Sequence, residues 1–181
     1  MDKKTKNIYA IIFASLIVIS NYTVQFPINE WLTYGAIMFP FTFLITDILS
    51  EKYSKDDVLS VVKTGILIAV IPTIIISEWR IAFASIVSFY VVQQMDIKIF
   101  HYLKNRYQNM WWLRNNASTM ISQFFDTSIF FILAFSFIMP FDLIIKLIIG
   151  DYMIKLIMAL LDTPIFYLVA IKLRHITFNK L

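Results

Sequence analysis

Apolar residues gather into six long stretches, separated by short polar segments. They run roughly over residues 8–26, 32–49, 58–76, 81–99, 117–138 and 143–171. About 20 apolar residues cross a bilayer as a helix. A membrane strand would instead alternate apolar and polar positions over about ten residues. These stretches are apolar on all sides, so the pattern predicts an all-α membrane protein, a six-transmembrane-helix bundle forming a single domain over residues 1–181. The sixth stretch is long enough to tilt or kink. Beyond the fourth, Met95, Ile99, Tyr102 and Leu103 recur at helical spacing among Lys98, Lys104 and Arg106, so that helix is expected to continue past the membrane face. Trp111 and Trp112 suit the interfacial aromatic belt.

Composition agrees with that pattern. The chain is 59% hydrophobic and 15% charged, against about 25% charged in soluble domains. Its mean hydropathy is +0.72. The absence of cysteine excludes disulfides, thiolate metal sites and a cysteine nucleophile. His101 and His175 are the only histidines and both lie in charged segments, so no metal site and no cofactor are expected. The net charge of +4 does not point to nucleic acid, because the basic residues flank the apolar stretches.

Those flanks set an orientation. Lys3, Lys4, Lys6, Lys52, Lys55, Lys63, Lys98, Lys104, Arg106, Arg114, Lys172, Arg174 and Lys180 fall on one side of six crossings. Arg80 and Lys146 fall on the other. The positive-inside rule then places both termini in the cytoplasm. The N-terminal basic patch leads into a first span without a small-residue cleavage site, and this span is expected to be retained.

Against this apolar background, Asp47, Asp126 and Asp162 stand out. A carboxylate at bilayer depth costs roughly 2.5–3.5 kcal/mol on insertion scales. In the fifth stretch Thr119, Ser122, Gln123, Asp126 and Phe130 are three or four apart and share one helix face, with Ile121, Phe124, Ile132 and Leu133 opposite. A polar packing stripe is the structural alternative. In the sixth, Asp151 and Lys155 can pair at i, i+4. Lys155 and Asp162 share a face about 10 Å apart, leaving room for a ligand or another helix. Pro40 and Pro164 each break a backbone bond inside a span. Asn21 and Gln25, on one helix face, add amides near the end of the first span, and Gln93 and Gln94 add more in the fourth. Asp47 lies nearer the cytoplasmic end of its span, where an end-of-span carboxylate in contact with water is the structural alternative. The phrases Phe125-Asp126-Thr127-Ser128-Ile129-Phe130 and Leu161-Asp162-Thr163-Pro164-Ile165-Phe166 are near-copies, by an inverted repeat or by chance.

Interior polar groups on several broken helices are the mark of a solute pathway. Enzyme chemistry lacks its parts: there is no GxSxG or HExxH, and three glycines leave no phosphate loop. No catalytic residue is predicted.

One resemblance covers nearly the whole chain in order. Ser20-Asn21-Tyr22-Thr23-Val24-Gln25-Phe26-Pro27, Tyr34-Gly35-Ala36 and Phe39-Pro40-Phe41-Thr42-Phe43-Leu44-Ile45-Thr46-Asp47 resemble the signature of bacterial queuosine precursor transporters, the vitamin uptake transporter family. Trp111-Trp112-Leu113, Ala117-Ser118-Thr119, Phe125-Asp126-Thr127, Asp151-Tyr152, Lys155 and Asp162-Thr163-Pro164 continue it. The resemblance implies six helices in the bacterial inner membrane and import of a 7-deazaguanine, such as 7-cyano- or 7-aminomethyl-7-deazaguanine, by a secondary transporter. A guanine-like edge offers adjacent N–H donors that one carboxylate can accept, and its exocyclic oxygen needs a donor. The candidate substrate-binding residues are therefore Asn21, Gln25, Asp47, Gln123, Asp126, Lys155 and Asp162, with Asp126 first. Phe41, Phe43, Phe130 and Tyr152 are candidates to stack on the ring. The alternative is the substrate-binding membrane subunit of an energy-coupling-factor importer for a vitamin-like solute or queuine. The expected partners are the small-molecule base, membrane lipids and further copies of the chain.

Overall fold

The computed structural model describes residues 1–29 and 32–172. Helix α1 (Lys3–Thr23) starts at Asp2, whose carboxylate accepts from the Thr5 amide at 3.0 Å. It packs along α4 (Lys55–Ile76), which starts at a Ser54 cap. Small residues make that contact close: Ala10 and Ala14 on one helix, Gly65 and Ala69 on the other. A Cβ on Gly65 would lie 2.7 Å from Phe13 Cδ1 and 2.9 Å from the Ala10 carbonyl oxygen. The backbone oxygen cannot move aside, so only glycine fits this crossing.

Between α1 and α4 the chain turns through a short antiparallel pair, β1 (Pro27–Asn29) and β2 (Leu32–Thr33). It then forms α2 (Tyr34–Met38) and α3 (Pro40–Lys52). The stretch predicted as one span over 32–49 is therefore two helical pieces meeting at Phe39. Pro40 has no N–H to give back to Ala36, and its ring opposes a continuous helix. Beside the break the Thr42 Oγ1 donates to the Phe39 carbonyl at 2.7 Å. The first span was expected to reach residue 26, but α1 ends at Thr23. Gln25 lies outside that helix and exposed, so it does not share a helix face with buried Asn21. Its amide donates instead to the Ile76 carbonyl at 2.6 Å, closing the end of α4.

The other long helices are α5 (Trp79–Arg106), α6 (Trp111–Phe135) and α7 (Phe141–Phe166). Helix α5 has 28 residues and continues past the fourth apolar stretch, as its periodicity predicts. After Pro164, α7 runs on as a π-helical segment (Tyr167–Lys172), a widening of the kind expected where a proline removes a backbone bond. His175 lies outside the described residues.

The distribution of side chains identifies the surrounding solvent. Leu67, Ile71 and Ile75 on α4, Ile121 and Phe124 on α6, and Ile149, Met153, Ile157 and Leu160 on α7 point outward. Asp47, Gln93, Asp96, Gln123, Asp126, Asp151 and Lys155 point inward. Water would favour the reverse, since charged residues are almost never fully buried in soluble domains. Hydrocarbon favours what is seen, because helices satisfy their own backbone and present apolar side chains to lipid. This is a helical membrane protein. Helices α4 and α6 are long and apolar enough to cross a bilayer by length and hydropathy alone. Helix α7 breaks its apolar run with Lys146, Asp151, Lys155 and Asp162, three of which are buried.

Candidate functional site

Helix α6 is the spine of the interior. Thr119, Ser122, Gln123, Asp126 and Phe130 are all buried along one face, while Ile121, Phe124, Ile132 and Leu133 are exposed, as their spacing predicts. Two polar clusters sit on that face, seven residues or about 10 Å apart by helix rise.

The first cluster centres on Lys155 of α7. Its ammonium lies 2.9 Å from Asp151 Oδ2, 3.2 Å from Asp126 Oδ2 and 2.9 Å from Thr127 Oγ1. Thr127 donates to Asp151 Oδ2 at 3.1 Å, and Ser88 of α5 donates to Asp126 Oδ1 at 2.6 Å. The Phe39 ring lies under the ammonium, 5.1 Å from Nζ to its centroid. Two carboxylates around one ammonium leave the cluster with one net negative charge. Each member is nine-tenths or more buried by side chain, so attraction is strong and an unpaired member would be costly.

This cluster floors a cavity of about 110 Å³. Asp151 and Lys155 form its polar wall; Phe39, Phe130, Phe131 and Phe135 form its apolar wall. It lies at the end of the bundle that carries the β1–β2 hairpin and the α6–α7 turn.

The second cluster lies nearer the opposite end. Asp47 of α3 accepts from Thr119 Oγ1 at 2.7 Å and faces Asp96 of α5. Asp96 also faces Ser118 and Ser122, yet neither of its carboxyl oxygens makes a hydrogen bond. Asp162, Asn115 and Thr119 line the narrow gap beside Asp47. One helical turn further, Glu51 and Arg114 form a buried two-point ion pair, Nε to Oε2 at 2.9 Å and Nη2 to Oε1 at 3.0 Å.

The chain matches the family described as "Putative vitamin uptake transporter" over residues 33–78 and 72–169. It belongs to that family. Three relatives share the resemblance. The "Probable queuosine precursor transporter" of Bacillus subtilis (strain 168) is 29% identical over 160 residues, 75% of this chain and 70% of the relative. The "Queuosine precursor transporter" of Escherichia coli (strain K12) is 30% identical over 143 residues, 66% of this chain and 64% of the relative. The "Probable queuosine precursor transporter" of Haemophilus influenzae (strain ATCC 51907 / DSM 11121 / KW20 / Rd) is 26% identical over 155 residues, 66% and 65%. The chain thus spans about two thirds of the length of these relatives. No solved structure matches it. The family match covers both polar clusters, from Asp47 to Asp162.

Within this member of the vitamin uptake transporter family, the candidate residues divide among several places. Asp126 and Lys155 meet in the first cluster, and Lys155 also pairs with Asp151 as its i, i+4 spacing predicts. Asp162, expected on one face with Lys155, with a ligand or another helix between them, lies in the second cluster with Asp47. Gln123 lies between the clusters, fully buried, with both amide atoms unpartnered, and the Asn21 amide is in the same condition. Gln25 is committed to the end of α4. Among the aromatic candidates, Phe130 lines the cavity; Phe43 is sealed in the core and Tyr152 donates to the Met120 carbonyl at 3.2 Å.

Three residues escaped the sequence reading: Asp96, Asp151 as a cavity residue, and Phe39. For Asp96 a signal existed. Ser85, Ser88, Val92 and Asp96 are spaced by three, four and four, a helical stripe that is entirely buried.

Proposed function

We propose that the chain imports a queuosine precursor, a 7-deazaguanine base, through the cavity above Lys155. The observation that supports this most is the charged floor at Asp151 and Lys155 under aromatic walls. A guanine-like edge presents adjacent N–H groups that a carboxylate such as Asp151 accepts as a pair. Its exocyclic oxygen takes a proton donor, which Lys155 supplies. Phe39 and Phe130 offer flat faces to the bicyclic ring. Asp126 holds Lys155 from behind and takes up its charge when Asp151 turns to the base. The unpartnered amides of Gln123 and Asn21 are further donors and acceptors once the site rearranges.

The cavity is smaller than the roughly 300–1,000 Å³ of typical ligand sites. It lies toward one end of the bundle, and the buried Glu51–Arg114 pair lies toward the other. We read this as one state of an alternating-access cycle run by a secondary transporter. On this reading the chain crosses the bacterial inner membrane six times with both termini on the cytoplasmic side, as the distribution of basic residues supports. The ATPase-coupled alternative draws no support from the family or the relatives.

Uptake by cells lacking their own importer tests the substrate. Radiolabelled 7-cyano- or 7-aminomethyl-7-deazaguanine should enter at a saturable rate, and unlabelled base should compete. Uptake no greater than in cells without the gene would overturn the reading. The cysteine-free sequence makes orientation testable as well. Phe137→Cys should react with an impermeant thiol reagent in intact cells, and Gln108→Cys only after permeabilisation. The reverse pattern would invert the topology.

A further inference from the structure

The second cluster is unexplained by binding of the base. It holds three carboxyl groups: Asp47 on α3, Asp96 on α5 and Asp162 on α7. Among the described residues, no basic side chain forms an ion pair with them. Helix α6 packs against all three elements and contributes only Asn115, Ser118, Thr119 and Ser122 here. Arg114, one helical turn away along α6, is committed to Glu51 and to the Gln108 carbonyl. The nearest interior ammonium, Lys155, is committed to Asp126 and Asp151. Helix α4 keeps Lys55, Asp56 and Lys63 exposed, and α1 keeps its lysines at its start.

Unused hydrogen-bonding capacity marks the same place. Both Asp96 oxygens, Asp47 Oδ1, Ser122 Oγ and Asn115 Oδ1 are buried without a partner. A buried polar atom left this way costs about 1–3 kcal/mol, more when charged. Two facing carboxylates without a cation cost more still. One proton resolves both problems: it converts one carboxylate to an O–H that donates to the other. Asp96 and Asp47 are both fully buried, so this proton is held away from bulk water.

We infer that the Asp47–Asp96 carboxyl pair, with Asp162 beside it, binds and releases the proton that drives solute movement. This rests on the transport reading above. The proton comes from water on the acidic side, forms an O–H bond on the pair, and returns to water on the other side; no other reactant is needed. Intramembrane carboxyl chains serve proton relays in this manner. The route outward passes Asp162 in the gap lined with Asn115 and Thr119. A link to the base site is built into α3. That helix carries Asp47 and begins at the Phe39–Pro40 break, and the Phe39 ring lies under Lys155. A tilt of α3 on protonation therefore moves the cavity wall.

Two measurements test this. In proteoliposomes, wild-type uptake of labelled base should rise several-fold when the outside is made one pH unit more acidic. Asp96→Asn should lose that rise while still exchanging labelled for unlabelled base. Uptake that follows a sodium gradient, or that responds to pH equally in Asp96→Asn, overturns the proposal. His101 does not confuse this readout, because burial, with help from Lys104 and Lys55, holds its imidazole down to about 4. The second measurement needs no transport. Infrared spectra of the purified protein at neutral pH should contain the carbonyl stretch of a protonated carboxyl group, weaker in Asp47→Asn/Asp96→Asn. An unchanged band in that double variant overturns the proton site, whatever the uptake assay gives. Absence of any wild-type transport, with the band behaving as expected, would instead overturn the substrate reading alone. Should Asp96→Asn fail to fold, Asp96→Glu keeps the test open, with the expected result a shifted pH dependence of uptake.

Discussion

Lys155→Met should abolish uptake and also lower the melting temperature sharply. The substitution removes the one cation shared by Asp126 and Asp151 and leaves two buried carboxylates facing each other across its place. Removing one partner of a buried pair costs about 3–5 kcal/mol. Loss of stability alone would not implicate the cluster in transport, so a second variant separates the two effects. Asp126→Asn/Asp151→Asn/Lys155→Met carries no charge and should recover most of the lost stability, because a neutral cluster has no desolvation penalty to offset. Its uptake should stay at background. Asp126→Asn alone is milder for the fold, since Lys155 keeps Asp151 at 2.9 Å. Losing one charge-assisted bond of about 1.5–3 kcal/mol should still cut uptake about 10- to 100-fold. Melting curves in detergent and uptake in cells, run on the same variants, check each point. Full uptake by the neutral triple variant would remove the cluster from the pathway.

The parts of this site that could be read in the sequence are those that lie along single helices. The stripe from Thr119 to Phe130 obeys the helical period, and its apolar complement faces outward as expected. The Asp151–Lys155 pair follows from one turn of one helix. What crosses between helices was not readable in this way. The spacing of Lys155 and Asp162 put both on one face, yet it is the packing of α6 against α7 that brings Asp126 to Lys155. Asp162 is left to meet Asp47 from α3. Asp96 lies near the end of its apolar stretch, close to Gln94 and Lys98, where a charge looks interfacial; only the buried stripe from Ser85 marks it as interior. Phe39 was hidden by its own neighbour. A proline in a predicted span signals a break, but whether the residue before it joins a site depends on how the two pieces are set against α7.

Arg114 should matter nearly as much to the fold, for a different reason. Its guanidinium meets the Glu51 carboxylate at two points, 2.9 and 3.0 Å, and each side chain is about 5% exposed or less. The remaining nitrogen donates to the Gln108 carbonyl at 2.9 Å, tying down the α5–α6 turn. Lys104 donates to the Ser50 and Glu51 carbonyls at 2.8 and 2.7 Å, so the last turn of α3 carries a cation where its dipole is negative. Arg114→Ala strips Glu51 of its fork and should cost about 3–5 kcal/mol. Arg114→Lys keeps the charge but supplies a point donor in place of a planar fork, and should fall between. The exchange Glu51→Arg/Arg114→Glu should regain part of the loss, because the pair is restored while the Gln108 contact is not. Thermal melts of the three variants give the order wild type, then Arg114→Lys and the exchange, then Arg114→Ala. An Arg114→Ala protein that melts like the wild type would show that this end of the bundle is held by packing rather than by the ion pair. On the proposed alternating-access reading, the same pair opens when solute leaves toward that end. Arg114→Lys, with the weaker closure, should therefore pass base faster than the wild type in exchange assays at temperatures where both stay folded.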